Sequence, residues 1–147
     1  EIATPTCSLV INVPPADCTL ENGAIELWPG THRMPGRYDG GVKDSLLEER
    51  RKNTPPVQVT TQKGDLLIRD VRLWHRGVPN ESNEARQMVA MVYVASFMKK
   101  SRKLKFQAGC EEALETGAFD VNAEYTNEPI DYLHGPSKVM YKNQAVN

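Results

Sequence analysis

His75 is the histidine whose sequence context most favours a chemical role. The chain has three histidines, and a histidine taken alone is more often a structural or surface residue than a ligand. His75 follows Leu73-Trp74 and precedes the turn sequence Gly-Val-Pro-Asn, so it lies at the end of a predicted strand. Strand ends at the mouth of a β-fold present side chains from a rigid scaffold. The position therefore favours a binding or catalytic role for His75 over His32 and His134.

Arg86 is the second residue whose position suggests chemistry. It begins a predicted strand whose next same-face positions are apolar. Those positions are Met88, Ala90 and Val92. An arginine on an apolar face needs an anion, because an unpaired buried charge is strongly destabilising, and its planar guanidinium suits a carboxylate. The alternative, which spacing alone favours, is that Arg86 reaches solvent at the rim or pairs with Asp65 or Asp70.

The composition is typical of one soluble globular domain. Of 147 residues, 39% are apolar and 25% are charged, and the net charge of −1 gives no field that would attract nucleic acid or a membrane surface. No apolar run approaches the roughly 18 residues expected of a spanning helix. The three cysteines form no CxxC pair, which predicts reduced thiols in a cytoplasmic protein rather than a disulfide framework.

Short alternating or β-branched segments predict strands joined by turns. The predicted strands are Cys7–Val13, Ala24–Trp28, Val57–Thr61, Leu66–Arg69, Val71–His75 and Arg86–Val94. The last strand is apolar on both faces and is expected to be buried on both sides. Asn22-Gly23 could close a two-residue hairpin, although the flanking pattern is uneven. Because only one connection offers a helix, the pattern predicts a mainly all-β sandwich or barrel and not a doubly wound α/β fold.

The predicted helix and the C-terminal region complete the organisation of the chain. Ser45 and Glu48 have capping-box spacing at the start of a run that is acidic early and basic late. Residues 31–43 are predicted to be a loop, and residues 117–147 to be irregular after a short helical segment at 110–115. We therefore divide the chain into residues 1–98, which form the core of the fold, and residues 99–147, an extension packing on that core.

Five segments of the chain together resemble the phytanoyl-CoA dioxygenase (PhyH) family, and most closely its fungal branch. They are Glu21-Asn22-Gly23-Ala24, Trp28-Pro29-Gly30-Thr31-His32, Gly64-Asp65-Leu66-Leu67-Ile68-Arg69-Asp70, Arg72-Leu73-Trp74-His75-Arg76-Gly77-Val78-Pro79-Asn80, and Arg86. The resemblance runs from about Leu9 to Tyr93, with the segments in the family's order. Each segment alone is a weak signal, but the set is specific.

The resemblance implies a double-stranded β-helix, a jelly-roll and cupin-like fold, and an oxygenase that uses Fe(II) and 2-oxoglutarate. Iron in such enzymes is held by two histidines and one carboxylate on one face, which leaves open positions for 2-oxoglutarate and oxygen. His75 matches the distal iron-ligand histidine, which would bind as a neutral imidazole. Arg86 matches the arginine that binds the far carboxylate of 2-oxoglutarate. The expected substrate is a small molecule, with neither nucleic acid nor a membrane as a partner.

One departure from the family pattern concerns the other two iron ligands. The family carries them in a His-x-Asp motif upstream of the Asn-Gly-Ala segment, and this chain has no His-x-Asp or His-x-Glu. One imidazole cannot hold iron selectively, so the isolated chain is expected to be inactive. We favour a longer protein whose N-terminal segment completes the barrel, a reading with which the absence of an initiating Met agrees. A second chain or a degenerate relative are the alternatives.

The remaining polar residues have more ordinary interpretations. His32 is shared with the family but is not one of its iron ligands, so we interpret it as a loop residue near the site. Asp65 and Asp70 are expected to be turn residues and not replacements for the absent carboxylate. The basic residues between Lys99 and Lys105 are expected to form a solvated face. The alternative function is that of a non-catalytic jelly-roll binding or interaction protein, and strand exchange in a homodimer is a third hypothesis.

Overall fold

A computed structural model of the chain describes residues 5–34, 41–98, 103–115 and 117–131. The chain forms two compact units, residues 1–98 and residues 99–147. The elements of the first unit are β1 (Ser8–Val13), β2 (Glu26–Leu27), α1 (Asp44–Asn53), β3 (Val57–Gln58), β4 (Leu67–Asp70), β5 (His75–Arg76) and β6 (Val89–Val94), with a 3-10 turn at Thr31–Arg33. The site residues predicted from the sequence all lie in this unit.

The strands of the first unit form two antiparallel sheets of three strands each. The strand orders are β4-β1-β6 and β3-β2-β5, so β1 and β2 are the central strands. The chain crosses repeatedly from one sheet to the other, as the winding of a jelly roll requires. The architecture is thus part of a double-stranded β-helix, and it confirms the predicted mainly all-β class.

The buried core is small and is centred on two tryptophans. Trp28 and Trp74 have ring centroids 6.3 Å apart, and the amide of Trp28 donates to the carbonyl of Trp74 at 3.0 Å. The other buried apolar residues are Val10, Cys18, Ala24 and Leu27. Trp74 lies immediately before β5, so its packing fixes the start of the strand on which His75 lies.

The Glu21-Asn22-Gly23 segment forms a tight turn but not a two-residue hairpin. The Asn22 side chain accepts from the amide of Thr19 and donates to the carbonyl of Asp17, both at 2.8 Å. Gly23 has a φ of 82°, and a Cβ there would lie 2.6 Å from the carbonyl oxygen of Val78. Only glycine combines that backbone conformation with so close an approach. The turn therefore braces the segment that follows His75.

The predicted burial of β6 is wrong for the described residues. Val89 and Val92 lie on opposite faces and are 53% and 60% exposed. β6 is the outer strand of its sheet and pairs only with β1 among the described strands. The composition of a strand indicates that its faces could be buried. Whether they are buried depends on neighbouring elements, which the sequence of the strand itself does not specify.

Two other element boundaries differ from the sequence-based expectation. The segment predicted as a strand from Val71 to His75 is a turn, and the strand proper, β5, is His75–Arg76. Helix α1 begins at Asp44, with Lys43 as its N-cap and no side-chain capping bond. Ser45 is thus inside the helix, and the predicted capping box is wrong. Asp44 supplies the negative charge that the helix N-terminus favours.

The second unit contains more regular structure than the sequence pattern indicated. Its elements are β7 (Leu104–Gln107), α2 (Glu111–Leu114) and β8 (Ala123–Thr126). β7 and β8 pair in parallel, and the Phe106 and Tyr125 rings lie 6.3 Å apart. The prediction that residues 117–147 are irregular is therefore wrong at β8, while residues 132–147 lie outside the described residues.

The basic segment from Lys99 to Lys105 is described only from residue 103 onward. Within that part, the Nζ atom of Lys105 lies 3.8 Å from a carboxylate oxygen of Glu124. Both side chains are exposed, so this pair contributes little to stability. Cys7, Cys18 and Cys110 are all free thiols, as their spacing predicted. No helix in the described part of the chain is long and apolar enough to cross a membrane.

Candidate active site

His75 is the first residue of β5 and is exposed in this chain. It lies directly opposite Leu27 in the β2–β5 pairing, and directly paired residues project from the same face of a sheet. Leu27 is buried and lines a cavity between the sheets. Arg76, the next residue, faces the other way and pairs with Glu26 at 2.7 Å. The strand thus separates a site-facing histidine from an outward ion pair.

The His75 ring is held by the turn that precedes it. Its Nδ1 atom lies 2.9 Å from the carbonyl oxygen of Leu73, so Nδ1–H donates and Nε2 keeps its lone pair. Partial desolvation of the ring by its neighbours, together with the charge of Arg69, lowers the pKa of His75, although the bond to Leu73 opposes the shift. The imidazole is therefore neutral at pH 7. A metal-binding histidine characteristically donates its other ring N–H to a backbone carbonyl, as here.

The core fixes the backbone of His75 through one buried hydroxyl. Thr31 is 2% exposed, and its hydroxyl donates to the carbonyl of Trp28 at 2.8 Å while accepting from the amide of Trp74 at 2.9 Å. Arg51 of α1 covers the Trp28 ring, with its guanidinium carbon 4.9 Å from the ring centroid. The Trp-Pro-Gly-Thr segment thus holds the backbone of Trp74, the residue that precedes His75.

Arg86 lies in the segment before β6 and does not begin that strand, which starts at Val89. Ala90 and Val92 pair with Asn12 and Val10, so they share the face of β1 that is turned toward the second sheet. Arg86 and Met88 precede the strand and are both half-buried, whereas Ala90 and Val92 are exposed. No acidic group among the described residues pairs with its guanidinium.

Arg69 is a site residue that the sequence reading did not single out. It pairs with Val10 and therefore faces the second sheet. Its Nε–H donates to Oδ1 of the buried Asn12 at 3.3 Å, and its NH1 atom lies 3.4 Å from Nδ1 of His75. Since Nδ1 already donates to Leu73, the second distance is a contact and not a strong bond. The sequence feature that could have identified Arg69 as a site residue is its position in an otherwise apolar strand segment, directly before Asp70.

A cavity of about 600 Å³ opens between the two sheets. Its wall is mostly apolar, with Arg69, Asp70 and His32 as its charged or titratable members. The lining residues are Thr6, Leu9, Leu27, Pro29, Gly30, His32, Val57, Val59, Ile68, Arg69, Asp70 and Leu73. His75 and Arg86 do not line this cavity, and no hydrogen bond joins them. Arg69 lines it and contacts the His75 ring, which connects the cavity to the histidine.

Asp65 follows the turn at Lys63-Gly64, and Asp70 is the last residue of β4, where the next turn begins. Asp65 accepts from the amide of Gln62 at 2.7 Å. Asp70 accepts from the amide and the guanidinium of Arg72 and from the hydroxyl of Thr6, at 2.8 to 3.0 Å. Neither carboxylate pairs with Arg86. Asp70 closes the turn whose Leu73 carbonyl orients His75, and it also lines the cavity.

Replacing Asp70 with Asn should lower stability and change its dependence on pH. The hydrogen bonds from Arg72 hold the pKa of Asp70 well below its usual range. A depressed carboxyl pKa contributes stability that is complete above the unfolded-state value, about 3.9, and is lost as pH falls toward the folded-state value. We expect Asp70→Asn to cost about 1–3 kcal/mol at pH 7 and to flatten the stability curve below about pH 4.

Urea unfolding followed from pH 2 to pH 7 measures this effect. Glu48→Gln is the matched control, because Glu48 forms only an exposed pair with Arg51 at 3.6 Å and such pairs contribute little. An acid limb in Asp70→Asn as steep as that of the unmodified chain would remove Asp70 as its cause.

The described residues do not form a complete metal site by themselves. Within residues 5–34, 41–98, 103–115 and 117–131, no three His, Cys, Asp or Glu side chains lie together in a way that could hold a metal ion. His75 fits the requirement for one ligand, since its Nε2 lone pair is available and its ring is held by a backbone carbonyl. Any further protein ligands would have to come from outside the described residues.

The chain is similar in sequence to the family that its motifs resemble. The family model for phytanoyl-CoA dioxygenase (PhyH) matches residues 5–88. The dioxygenase lolE1 of Epichloe uncinata is 28% identical over 92 residues, which are 61% of this chain and 34% of lolE1.

Solved structures of EctD from S. alaskensis have a similar fold. One with bound Fe is 27% identical with a TM-score of 0.56, and one with 2-oxoglutarate and 5-hydroxyectoine is 26% identical with a TM-score of 0.53. Each comparison covers 60% of this chain and 31% of EctD, so the chain spans about a third of the length of these relatives. Because the family model covers more than half of the chain and the strands wind as part of a jelly roll, the chain belongs to the phytanoyl-CoA dioxygenase family.

Proposed function

We propose that this chain carries part of the active site of an Fe(II)- and 2-oxoglutarate-dependent dioxygenase that oxidises a small-molecule metabolite. The observation that carries the proposal is the geometry of His75. It pairs with Leu27, a cavity-lining residue, its Nδ1–H donates to the Leu73 carbonyl at 2.9 Å, and Nε2 is left as a donor to a metal. The family and the Fe-bound relative support this assignment.

Each of the two predicted residues has a separate role in the proposal. His75 holds the metal as a neutral ligand, and its lowered pKa keeps it in that form at neutral pH. Arg86 binds the far carboxylate of 2-oxoglutarate in a bidentate pair, and this carboxylate is the anion that the half-buried guanidinium requires. Iron, when bound, would supply the oxidation of the substrate by oxygen, coupled to the decarboxylation of 2-oxoglutarate to succinate and CO2, while the protein side chains position the two reactants.

We further propose that strands from outside this chain complete the barrel and supply the other two iron ligands. β5 and β6 are both outer strands in the described sheets, and each leaves one edge of backbone donors and acceptors open to pairing. The apolar side chains of β6 are exposed for the same reason. We call this chain joined to such strands the complete barrel. An N-terminal segment of the same protein is the source we favour over a second chain, and a cytoplasmic location remains a prediction.

The test compares the complete barrel with the 147-residue chain under anaerobic loading with Fe(II), followed by oxygen and 2-oxoglutarate. We expect the complete barrel to bind iron and to release succinate, and the 147-residue chain to do neither. If the complete barrel binds no iron even when the metal is in excess, the non-catalytic jelly-roll function is favoured instead. Light scattering of the 147-residue chain addresses the remaining hypothesis, since a monomer excludes strand exchange in a homodimer.

A further inference from the structure

Arg69 is a half-buried cation without a carboxylate partner among the described residues. Its hydrogen-bond acceptor is Oδ1 of Asn12 at 3.3 Å, a neutral amide, and its contact with His75 is at 3.4 Å. Asp70 is adjacent in sequence and also lines the cavity, but its carboxylate is engaged by Arg72 and Thr6 and not by Arg69. The site thus retains a guanidinium whose charge is not neutralised within it.

The surroundings of Arg69 are those of a binding site and not of a surface. Arg69 lines the cavity of about 600 Å³, whose other walls are largely apolar, with Asp70 and His32 as the remaining titratable members. Small-molecule sites characteristically combine an apolar wall with a few polar groups that fix the orientation of the ligand. A guanidinium on such a wall forms two parallel hydrogen bonds to a carboxylate, which are stronger than bonds between neutral groups.

We propose that Arg69 is a specificity-determining residue that binds a carboxylate on the substrate, whose apolar body occupies the cavity. The assignment of the ligand as substrate rests on the proposed function. Because the guanidinium contacts the His75 ring, the carboxylate would be bound beside the proposed metal ligand. The other source of a carboxylate is 2-oxoglutarate, which we assign to Arg86, so the experiment must separate the two.

The experiment titrates the purified 147-residue chain with hexanoate, with hexanamide and with 2-oxoglutarate, followed by chemical shifts in NMR spectra. Hexanoate carries one carboxylate on an apolar chain, and hexanamide is its neutral counterpart. We expect the unmodified chain to bind hexanoate at least about tenfold more tightly than hexanamide, the effect of one charge-assisted hydrogen bond. Arg69→Gln should remove that difference and leave the titration with 2-oxoglutarate unchanged.

Arg33→Gln is the matched control, because it makes the same change in net charge at an exposed arginine of the 3-10 turn. It should retain the preference for hexanoate. Arg69→Lys keeps the charge and loses the planar fork, so it should bind hexanoate with intermediate affinity. If Arg69→Gln does not fold, the Arg69→Lys titration decides, and an affinity for hexanoate equal to that of the unmodified chain overturns the proposal.

Three other outcomes overturn the proposal. Equal binding of hexanoate and hexanamide by the unmodified chain shows that the cavity does not distinguish a carboxylate from a neutral amide. Unchanged hexanoate binding in Arg69→Gln places the anion elsewhere. A loss of 2-oxoglutarate binding in Arg69→Gln assigns Arg69 to the cosubstrate and not to the substrate. None of these titrations requires turnover, so a failure here is distinguishable from a failure of the dioxygenase assignment.

Discussion

In the complete barrel, His75→Ala should reduce the affinity for Fe(II) by at least about 100-fold and abolish iron-dependent turnover. Loss of an outer partner of a metal ligand typically costs about 10–100-fold, and loss of the ligand itself should exceed that range. The His75 ring is already oriented by the Leu73 carbonyl and held neutral at pH 7. The substitution therefore removes a preformed ligand without requiring the backbone to move.

Anaerobic equilibrium dialysis of Fe(II) measures this effect directly. Arg76→Gln is the control on the same strand, because Arg76 faces the opposite side and pairs with Glu26 at 2.7 Å. This variant tests whether a disturbance of β5 alone is enough to abolish iron binding. We expect Arg76→Gln to retain iron. Wild-type iron affinity in His75→Ala would remove His75 from the proposed ligand set, and the dioxygenase proposal would lose its main support.

Arg86→Gln should raise the KM for 2-oxoglutarate by about 100-fold in the complete barrel. Two charge-assisted hydrogen bonds are lost, and each such bond contributes about 1.5–3 kcal/mol, where about 1.4 kcal/mol is a factor of ten in affinity. Because part of that contribution is recovered by the amide of glutamine, we expect the lower part of the combined range. The effect should appear mainly in KM, since the far carboxylate is distant from the reacting bond.

Steady-state succinate release at varied 2-oxoglutarate concentrations checks this prediction. Arg86→Lys retains the charge but not the planar fork, so an intermediate KM is expected. Arg33→Gln, which removes an exposed charge, should leave the KM unchanged. If the dependence on 2-oxoglutarate in Arg86→Gln matched that of the unmodified enzyme, the far carboxylate would have to be bound elsewhere.

The strands that could be predicted from the sequence are those whose pattern is local. β1 was expected at Cys7–Val13 and is Ser8–Val13, because a β-branched run bounded by Pro14-Pro15 depends little on distant residues. The segment 71–75 was misassigned because Asp70 closes a turn through bonds to the amide and guanidinium of Arg72. The hydrophobic pattern of a segment does not show whether side-chain hydrogen bonds of this kind will turn a predicted strand into a turn.

The candidate site was predictable only in part, for a related reason. His75 and Arg86 could be selected because strand position and the family's motifs single them out. Arg69 could not be weighted in the same way, because its significance depends on Asn12, 57 positions away in sequence, and on the packing of two sheets. The burial of a charge is a property of the assembled fold, whereas its position in a strand is a property of the sequence.

The central position of β1 has a consequence for biosynthesis. β1 precedes both of its partner strands in the sequence, pairing with β4 on one edge and with β6 on the other, Ser8 lying opposite Val94. During translation at about 5–20 residues per second, its apolar segment emerges from the ribosome seconds before either neighbour is available. Such long-range pairing folds slowly, so the nascent chain exposes an aggregation-prone strand, and its yield in cells should depend on chaperones that cover β1 until β6 arrives.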